Sequence, residues 1–101
     1  MENQHRKISG YRELSQGEID LMNKVKALGP QIEGVILEVQ AHVNAQRNAC
    51  VTMDMVPVVN DQAELDRLEA ATPERFTALA KTDFQTALMY LTRAVAQPTF
   101  F

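Results

Sequence analysis

The sequence predicts an all-α protein with two long antiparallel helices, a short N-terminal helix and a compact homo-oligomeric assembly. Apolar residues recur at helical spacing in two long segments of the 101-residue chain. Capping residues precede the helical segments, and Gly or Pro residues separate them. The composition, 46% apolar and 23% charged, is typical of a globular protein, so one helical domain is expected over residues 1–101.

The first part of the chain is predicted to hold an arm and a short helix. Residues 1–14 lack helical periodicity, which favours an extended N-terminal arm. Ser15 and Glu18 have the spacing of a capping box, so a helix is predicted over 15–28. The Gly-Pro pair at 29–30 indicates the end of this helix and the start of the next one.

Two longer helices are predicted to form the antiparallel pair, one over 30–48 and one over 73–96. The first has an apolar stripe with spacings of three and four residues, formed by Ile32, Val35, Ile36, Val39 and Val43. The last has a similar stripe, formed by Phe76, Leu79, Ala80, Phe84, Ala87, Leu88, Leu91 and Val95. Its start is marked by Thr72 as a cap and by Pro73 at the first helical position, where an N–H group is not needed.

The segment between these helices is predicted to be a crossover loop followed by a short helix. Residues 50–59 alternate briefly between polar and apolar side chains, but a lone strand has no partner elsewhere in the chain. Asn60 is a favourable capping residue, so a short helix is predicted over 60–70.

Charge, cysteine content and hydropathy exclude several classes of protein. The formal net charge is −3, with ten Lys and Arg against thirteen Asp and Glu, which argues against a protein that coats nucleic-acid polymers. A single cysteine, Cys50, excludes a disulfide within the chain and suits a reducing compartment. The sequence has no apolar stretch of about 18 residues, so no membrane span is expected. Because the polar N-terminus does not resemble a signal peptide, the protein is expected to act inside a cell.

The sequence contains no arrangement typical of catalysis, so an enzyme, a cofactor and a metal site are not expected. His5 and His42 are far apart, and Cys50 has no partner at a metal-binding spacing. The four glycines are scattered, which excludes a glycine-rich phosphate loop. A chain this short buries only about two-thirds of the surface that its unfolded form exposes, so self-association is expected to cover the remaining apolar faces.

Tyr11 and Lys26 are candidate ligand-binding residues. On a helical wheel with Ile19 at zero, Lys26 lies at about 340°, within the apolar arc. Its stem can pack while the ammonium stays in water, or the ammonium can meet a phosphate. Tyr11 lies on the arm next to Arg12, where it can anchor the arm or stack on a base. An aromatic ring and a cation together form a minimal nucleotide clamp.

Arg67 is a third candidate because it is the one basic residue among six acids between positions 54 and 74. The ordinary role of such an arginine is an ion pair, and Asp66, Glu64 and Glu74 are the available partners.

The two ends of the chain resemble the tailed-phage anti-CBASS sponge proteins. The matching positions are the string HRKISGYREL at 5–14, Asn23, Lys26, the Gly-Pro pair at 29–30, AKT at 80–82, LTRAVA at 91–96, Pro98 and Phe101. Together with the residues around them, they cover about half of the chain and include two of the three candidate binding residues.

The resemblance implies that the protein sequesters cyclic oligonucleotide messengers of bacterial CBASS immunity, without cleaving them, in the cytoplasm of the infected host. Members of that family are small helical proteins that assemble as hexamers, so a homo-hexamer is expected. By matching position, Tyr11 is expected to stack on a base and Lys26 to contact phosphate in cyclic dinucleotides such as cyclic GMP-AMP. Arg67 is expected to contact the phosphates of cyclic trinucleotides in a separate pocket.

Two other functions remain compatible with the residues. The Gly-Pro pair at 29–30 between two predicted helices is similar to a helix-turn-helix, although the second helix has Glu33 and Glu38 and no basic residue before Arg47. A structural assembly protein of a phage would use Tyr11 and Lys26 for packing alone.

Overall fold

The computed structural model describes residues 12–100, which are mostly helical and include one small β-hairpin. In chain order the elements are α1 (Gln16–Ala49), β1 (Val51–Met53), β2 (Pro57–Val59), α2 (Gln62–Ala71) and α3 (Pro73–Ala96). The chain divides into two compact units. The terminal unit combines the residues up to Ile32 with those from Asp83 onward, and the central unit is Glu33–Thr82. Each unit therefore contains one part of α1 and one part of α3.

The predicted capping box at the start of α1 is confirmed. The Ser15 hydroxyl accepts a hydrogen bond from the Glu18 backbone N–H at 3.2 Å. In return, the Ser15 N–H donates to the Glu18 carboxylate at 2.8 Å. Two backbone donors that have no partner inside the helix are thereby satisfied, which sets where α1 begins.

The predicted helix break at 29–30 is wrong, because α1 is a continuous helix of 34 residues with Pro30 inside it. The predicted short helix over 15–28 and the predicted helix over 30–48 are therefore parts of one helix. Within the terminal unit, a methyl group at Gly29 would be in ordinary van der Waals contact with Leu88 Cδ1 at 3.9 Å, so Leu88 of α3 lies beside the Gly-Pro pair. Packing against a neighbouring helix routinely overrides local helix-breaking signals.

The predicted crossover loop over 50–59 is also wrong, so the fold is mostly helical with one small hairpin rather than purely all-α. Strands β1 and β2 form an antiparallel hairpin in which Val51 pairs with Val59 and Thr52 with Val58. The strand partner follows after a connection of three residues, so it lies within the segment itself rather than elsewhere in the chain. Outside the ladder, the Asn60 side-chain amide donates to the Thr52 hydroxyl at 2.8 Å.

The predicted helix over 60–70 is displaced towards the C-terminus, because Asp61 rather than Asn60 caps α2. The Asp61 carboxylate accepts from the Glu64 N–H at 3.1 Å. At the other end, Thr72 adopts a left-handed conformation with φ 47°, and its N–H donates to the Leu68 carbonyl. This sharp end places Pro73 at the first position of α3, which covers the same residues that the sequence predicts.

The terminal unit and the central unit each pack a part of α1 against an antiparallel part of α3. In the terminal unit, Arg12 bonds to the Ala96 carbonyl at the end of α3, and Gly29 lies beside Leu88 farther back along that helix. In the central unit, Arg47 near the end of α1 donates to both carboxylate oxygens of Glu74 at the start of α3. The prediction of two long helices packed together is confirmed in this form.

The core of the described residues lies in the central unit. The most buried side chains are those of Val43, Cys50, Leu68 and Thr77. The Cys50 thiol donates to the Gln46 carbonyl at 3.4 Å, and burial raises the pKa of this thiol. A buried thiol with a raised pKa is a poor nucleophile, so the environment of Cys50 fits a structural residue.

Across residues 12–100, none of the helices combines the length and the apolar character that crossing a membrane requires.

Candidate functional site

An open apolar groove in the terminal unit contains Lys26. The groove has a volume of about 490 Å³ and lies along α1, the last turns of α3 and the segment that follows α3. Its lining residues are Val25, Lys26, Gly29, Leu88, Met89, Thr92, Arg93, Ala96 and Pro98. Apolar atoms thus form most of its wall, and two cationic side chains reach it.

Lys26 lies where the helical wheel places it, beside Val25 and Gly29 on the apolar side of α1. Lys26 is an exposed residue, although the neighbouring groove wall is apolar. This geometry suits an amphipathic side chain that packs its stem and presents its charge. A ligand in the groove would meet apolar surface and a positive charge at the same place.

Arg93 is the second cation of this groove and is not among the binding residues predicted from the sequence. One of its terminal nitrogens donates to the Phe100 carbonyl at 2.8 Å, which ties the C-terminal segment back to α3. The signal that could have identified Arg93 is the antiparallel pairing of α1 and α3 within the terminal unit. That pairing brings the last turns of α3 to the part of α1 that carries Lys26.

Arg12 connects the N-terminal end of the described chain with the end of α3. Its guanidinium donates to the carbonyls of Ala96 at 3.1 Å and Val95 at 2.7 Å. It also forms a two-pronged ion pair with the Glu18 carboxylate. Hydrogen bonds lower the pKa of Glu18 from its ordinary value of 4.5 to about 2. The largest effect comes from Arg12 and the next largest from the Ser15 N–H.

Tyr11, the predicted stacking residue, lies outside the described residues. The structure therefore gives the surroundings of Arg12, the next residue in the chain, and not those of Tyr11. The role of Tyr11 remains a prediction from the sequence.

Arg67 lies on α2 in the central unit, whereas Lys26 belongs to the terminal unit. The Arg67 Nε donates to both carboxylate oxygens of Glu64 at 3.1 Å. Of the three acidic residues that the sequence offers as partners of Arg67, Glu64 is paired with it, whereas Glu74 pairs with Arg47. The Arg67 side chain is 56% exposed, so part of the guanidinium surface can still meet a ligand.

The described residues contain no group of three or more His, Cys, Asp or Glu side chains that could hold a metal ion. The chemistry that the Lys26 groove offers is binding. Apolar walls can receive the faces of planar rings, and the cations of Lys26 and Arg93 can pair with negative charge.

Comparisons with known proteins give one family for nearly the whole chain. The family described as Acb2/Tad1, hairpin domain, matches residues 5–96. Anti-CBASS protein 2 of Pseudomonas phage JBD67 is 43% identical over 105 residues, and the similarity covers 97% of this chain and 97% of that protein. The matched range includes Tyr11, Lys26 and Arg67, and it extends over the five helices and strands found in residues 12–100.

Proposed function

The chain belongs to the Acb2/Tad1 hairpin domain family, and we propose that it interferes with CBASS signalling by binding and sequestering cyclic oligonucleotides without cleaving them. One observation carries the proposal: an apolar groove with the cations of Lys26 and Arg93 occurs in a chain 43% identical to anti-CBASS protein 2. The protein would act in the cytoplasm of the infected host, where it would withdraw the messenger from the CBASS effector.

Cyclic dinucleotides such as cyclic GMP-AMP fit the chemistry of the groove. Such a ligand has two bases with flat faces and two phosphates, each with one negative charge. Lys26 would contact a phosphate, and Tyr11 would stack on a base. If two chains met about a two-fold axis, the two copies together would supply one tyrosine and one lysine to each half of the ligand.

Sequestration requires tight binding and slow release rather than bond cleavage. The groove contains cations and apolar side chains, and Thr92 is its only hydroxyl-bearing residue among the described residues that line it. Hydrolysis of a phosphodiester requires an activated nucleophile or a metal-bound water. The lining of the groove supports binding alone.

Titration calorimetry with cyclic GMP-AMP tests this function directly. We expect the wild type to bind, and we expect Lys26→Ala and Tyr11→Ala each to weaken binding by about tenfold to a hundredfold, since a charge-assisted contact or a stacked base is lost. Lys24→Ala is the matched control, because Lys24 is an exposed lysine of α1 outside the lining of the groove. The nucleotide should be recovered intact after heat denaturation of the protein.

Three results would count against the function. Absence of binding by the wild type would contradict it, and so would equal affinities for the wild type, Lys26→Ala and Tyr11→Ala. Recovery of linear nucleotide would instead indicate a phosphodiesterase.

Cyclic trinucleotides are proposed to bind a second site to which Arg67 contributes. The same titration with a cyclic trinucleotide would compare Arg67→Ala with Arg75→Ala, a second exposed arginine of the central unit. A selective loss of affinity in Arg67→Ala would support this site, and equal affinities would contradict it.

The structure weakens the alternative of a helix-turn-helix module. That motif needs two helices joined by a turn, and α1 continues through the Gly-Pro pair at 29–30 where the turn would lie.

A further inference from the structure

The β-hairpin of the central unit has two edges, and neither edge is paired with a further strand in the described part of the chain. Strands β1 and β2 have three residues each and form a sheet of two strands. A hairpin of this size is marginally stable by itself, and an open strand edge is a template for pairing with another chain. The hairpin therefore offers an interaction surface that one copy of the chain leaves unused.

The hydrogen bonds of the hairpin show which backbone groups face outward. The Asn60 N–H donates to the Cys50 carbonyl at 2.8 Å, so Cys50 and Asn60 form a hydrogen-bonded pair. Hydrogen-bonded and non-hydrogen-bonded pairs alternate along an antiparallel ladder. Two steps along the ladder, Thr52 and Val58 therefore bond to each other through their backbones. The strand residues on either side of Thr52 and Val58 direct their N–H and C=O groups away from the hairpin.

The two edges differ in the backbone groups that they present. The β1 edge presents the N–H and C=O groups of Val51 and Met53, and none of these groups has a hydrogen-bond partner among the described residues. The β2 edge presents the groups of Pro57 and Val59, but proline has no N–H to donate. Proline on an edge strand hinders pairing with a further strand. The β1 edge is therefore the better template.

A second copy of the β1 edge matches the groups that this edge presents. If two β1 strands paired antiparallel about a two-fold axis, Val51 of each copy would lie opposite Met53 of the other copy. Each such pair would exchange two hydrogen bonds, because both residues present an outward N–H and C=O. The same arrangement of two β2 strands would lose one bond at each pair, since Pro57 cannot donate.

The side chains at the β1 edge also suit a contact between two copies. Met53 is 74% exposed and would face the apolar side chain of Val51 in the other copy, a cross-strand pair that stabilises a sheet. Asp54 is the one charged residue between positions 50 and 60. Antiparallel pairing would separate the two copies of Asp54 by about 13 Å along the strands, so their repulsion would be weak.

We propose that the β1 edge, formed by Val51, Thr52 and Met53, is a self-association surface at which two copies of the chain join their hairpins into a four-stranded antiparallel sheet. The two-fold axis passes between the two copies of Thr52. Such pairing does not depend on what the groove containing Lys26 binds, because the hairpin belongs to the central unit and the groove to the terminal unit.

Amide hydrogen exchange followed by NMR tests the pairing in the wild type. The N–H groups of Val51 and Met53 have no partner in the described chain, so an unpaired β1 edge would exchange them at nearly the rate of an unfolded peptide. We expect exchange at both positions to be slowed at least about tenfold. The Thr52 N–H is the internal reference, because its hydrogen bond lies within the hairpin.

Cysteine cross-linking identifies the edge and the register. In the proposed sheet the two copies of Thr52 form a non-hydrogen-bonded pair with Cα atoms about 4.5 Å apart, which a disulfide can bridge. The two copies of Val58 lie on the same face but three strand spacings, or about 14 Å, apart. Under mild oxidation, Thr52→Cys should therefore form covalent dimers at least about tenfold faster than the control Val58→Cys. Cys50 is only 1% exposed, so the wild type gives the background rate.

A proline substitution tests the hydrogen bonds of the edge. Met53 lies opposite Pro57, and its N–H faces outward, so Met53→Pro removes a donor of the β1 edge and keeps the bonds within the hairpin. In the Thr52→Cys background, Met53→Pro should slow cross-linking about tenfold, because two bonds are lost between the copies. Met53→Ala is the matched control, since it keeps the N–H, and should stay within about twofold. Circular dichroism checks that each variant folds.

Each result supports or contradicts pairing at the β1 edge. Equal cross-linking rates for Thr52→Cys and Val58→Cys would overturn it, and a faster rate for Val58→Cys would assign the contact to β2. If Thr52→Cys does not fold, hydrogen exchange of the wild type decides. Unprotected N–H groups at Val51 and Met53 would overturn the pairing and leave the edge to a strand of another protein. A wild type that binds cyclic GMP-AMP with these groups unprotected would retain the proposed function alone.

Discussion

Single residues of this chain differ in how far their surroundings can be predicted from sequence. The capping box of Ser15 and Glu18 is predictable because both partners lie within one helical turn. The position of Lys26 beside apolar groove residues is predictable because helical periodicity determines the face on which it lies. The bonds of Arg12 to the end of α3 are not predictable in this way, because they depend on how segments more than 80 residues apart meet.

The Arg12–Glu18 pair predicts a specific pH dependence of stability. Pairing lowers the pKa of Glu18 from 4.5 to about 2 in the folded protein. A lowered carboxyl pKa stabilises the folded state above pH 4.5, and this contribution is lost as pH falls through about 2. Between pH 5 and pH 2 the Tm of the wild type should therefore fall more steeply than that of Glu18→Gln.

Thermal denaturation followed by circular dichroism at several pH values measures this difference. Glu33→Gln is the control, because it removes the charge of another exposed glutamate of α1 and should keep the slope of the wild type. Parallel curves for the wild type and Glu18→Gln would show that the pair is absent in solution.

Among the helices and strands, the sequence predicts those whose first and last residues are set by neighbouring residues in the chain. Helix α3 has the predicted range because Pro73 begins it and Gln97-Pro98 follows it. The hairpin and the continuity of α1 depend on tertiary context instead. The three-residue strands β1 and β2 are too short for a strong alternation signal, and the packing of α3 beside Gly29 outweighs the adjacent proline.

The continuity of α1 predicts that Pro30 is a destabilising residue. A proline inside a helix lacks the N–H that would bond to the carbonyl four residues earlier, here that of Lys26. Pro30→Ala should therefore raise the free energy of unfolding by about 1–3 kcal/mol. Pro73→Ala is the matched control, since proline at the first helical position loses no bond, and a change within about 0.5 kcal/mol is expected.

Urea denaturation of the two variants gives both free energies. A loss of stability in Pro30→Ala would mean that a break or kink at this position is required.

At the scale of the whole molecule, the chain leaves much of its predicted apolar stripes uncovered. In the terminal unit Phe84 is 46% exposed and Leu91 is 47% exposed, although both lie on the stripe predicted for the last helix. In the central unit Val35 and Phe76 are each 58% exposed. Exposed apolar surface of this extent on each unit favours association with further copies of the chain.

Self-association bears on function, because it determines whether the Lys26 and Tyr11 side chains of two copies can meet one ligand. Light scattering coupled to gel filtration should give a mass that is a multiple of 11.3 kDa, with six copies expected. Phe84→Glu should lower that mass if this exposed face forms the interface, since burying a carboxylate between copies would be costly in desolvation. Gln85→Glu is the control, because it adds the same charge at the next position of α3 and should leave the mass unchanged.

The same variants connect assembly with binding. If ligand sites form between copies, Phe84→Glu should lose affinity for cyclic GMP-AMP in proportion to its loss of assembly, with the side chains of Lys26 and Tyr11 intact. A wild type that elutes at 11.3 kDa over a hundredfold range of concentration would contradict the assembly. Full affinity in a monomeric Phe84→Glu would show that one chain alone forms the site. In that case the open Lys26 groove of the terminal unit would have to hold the ligand without a second copy.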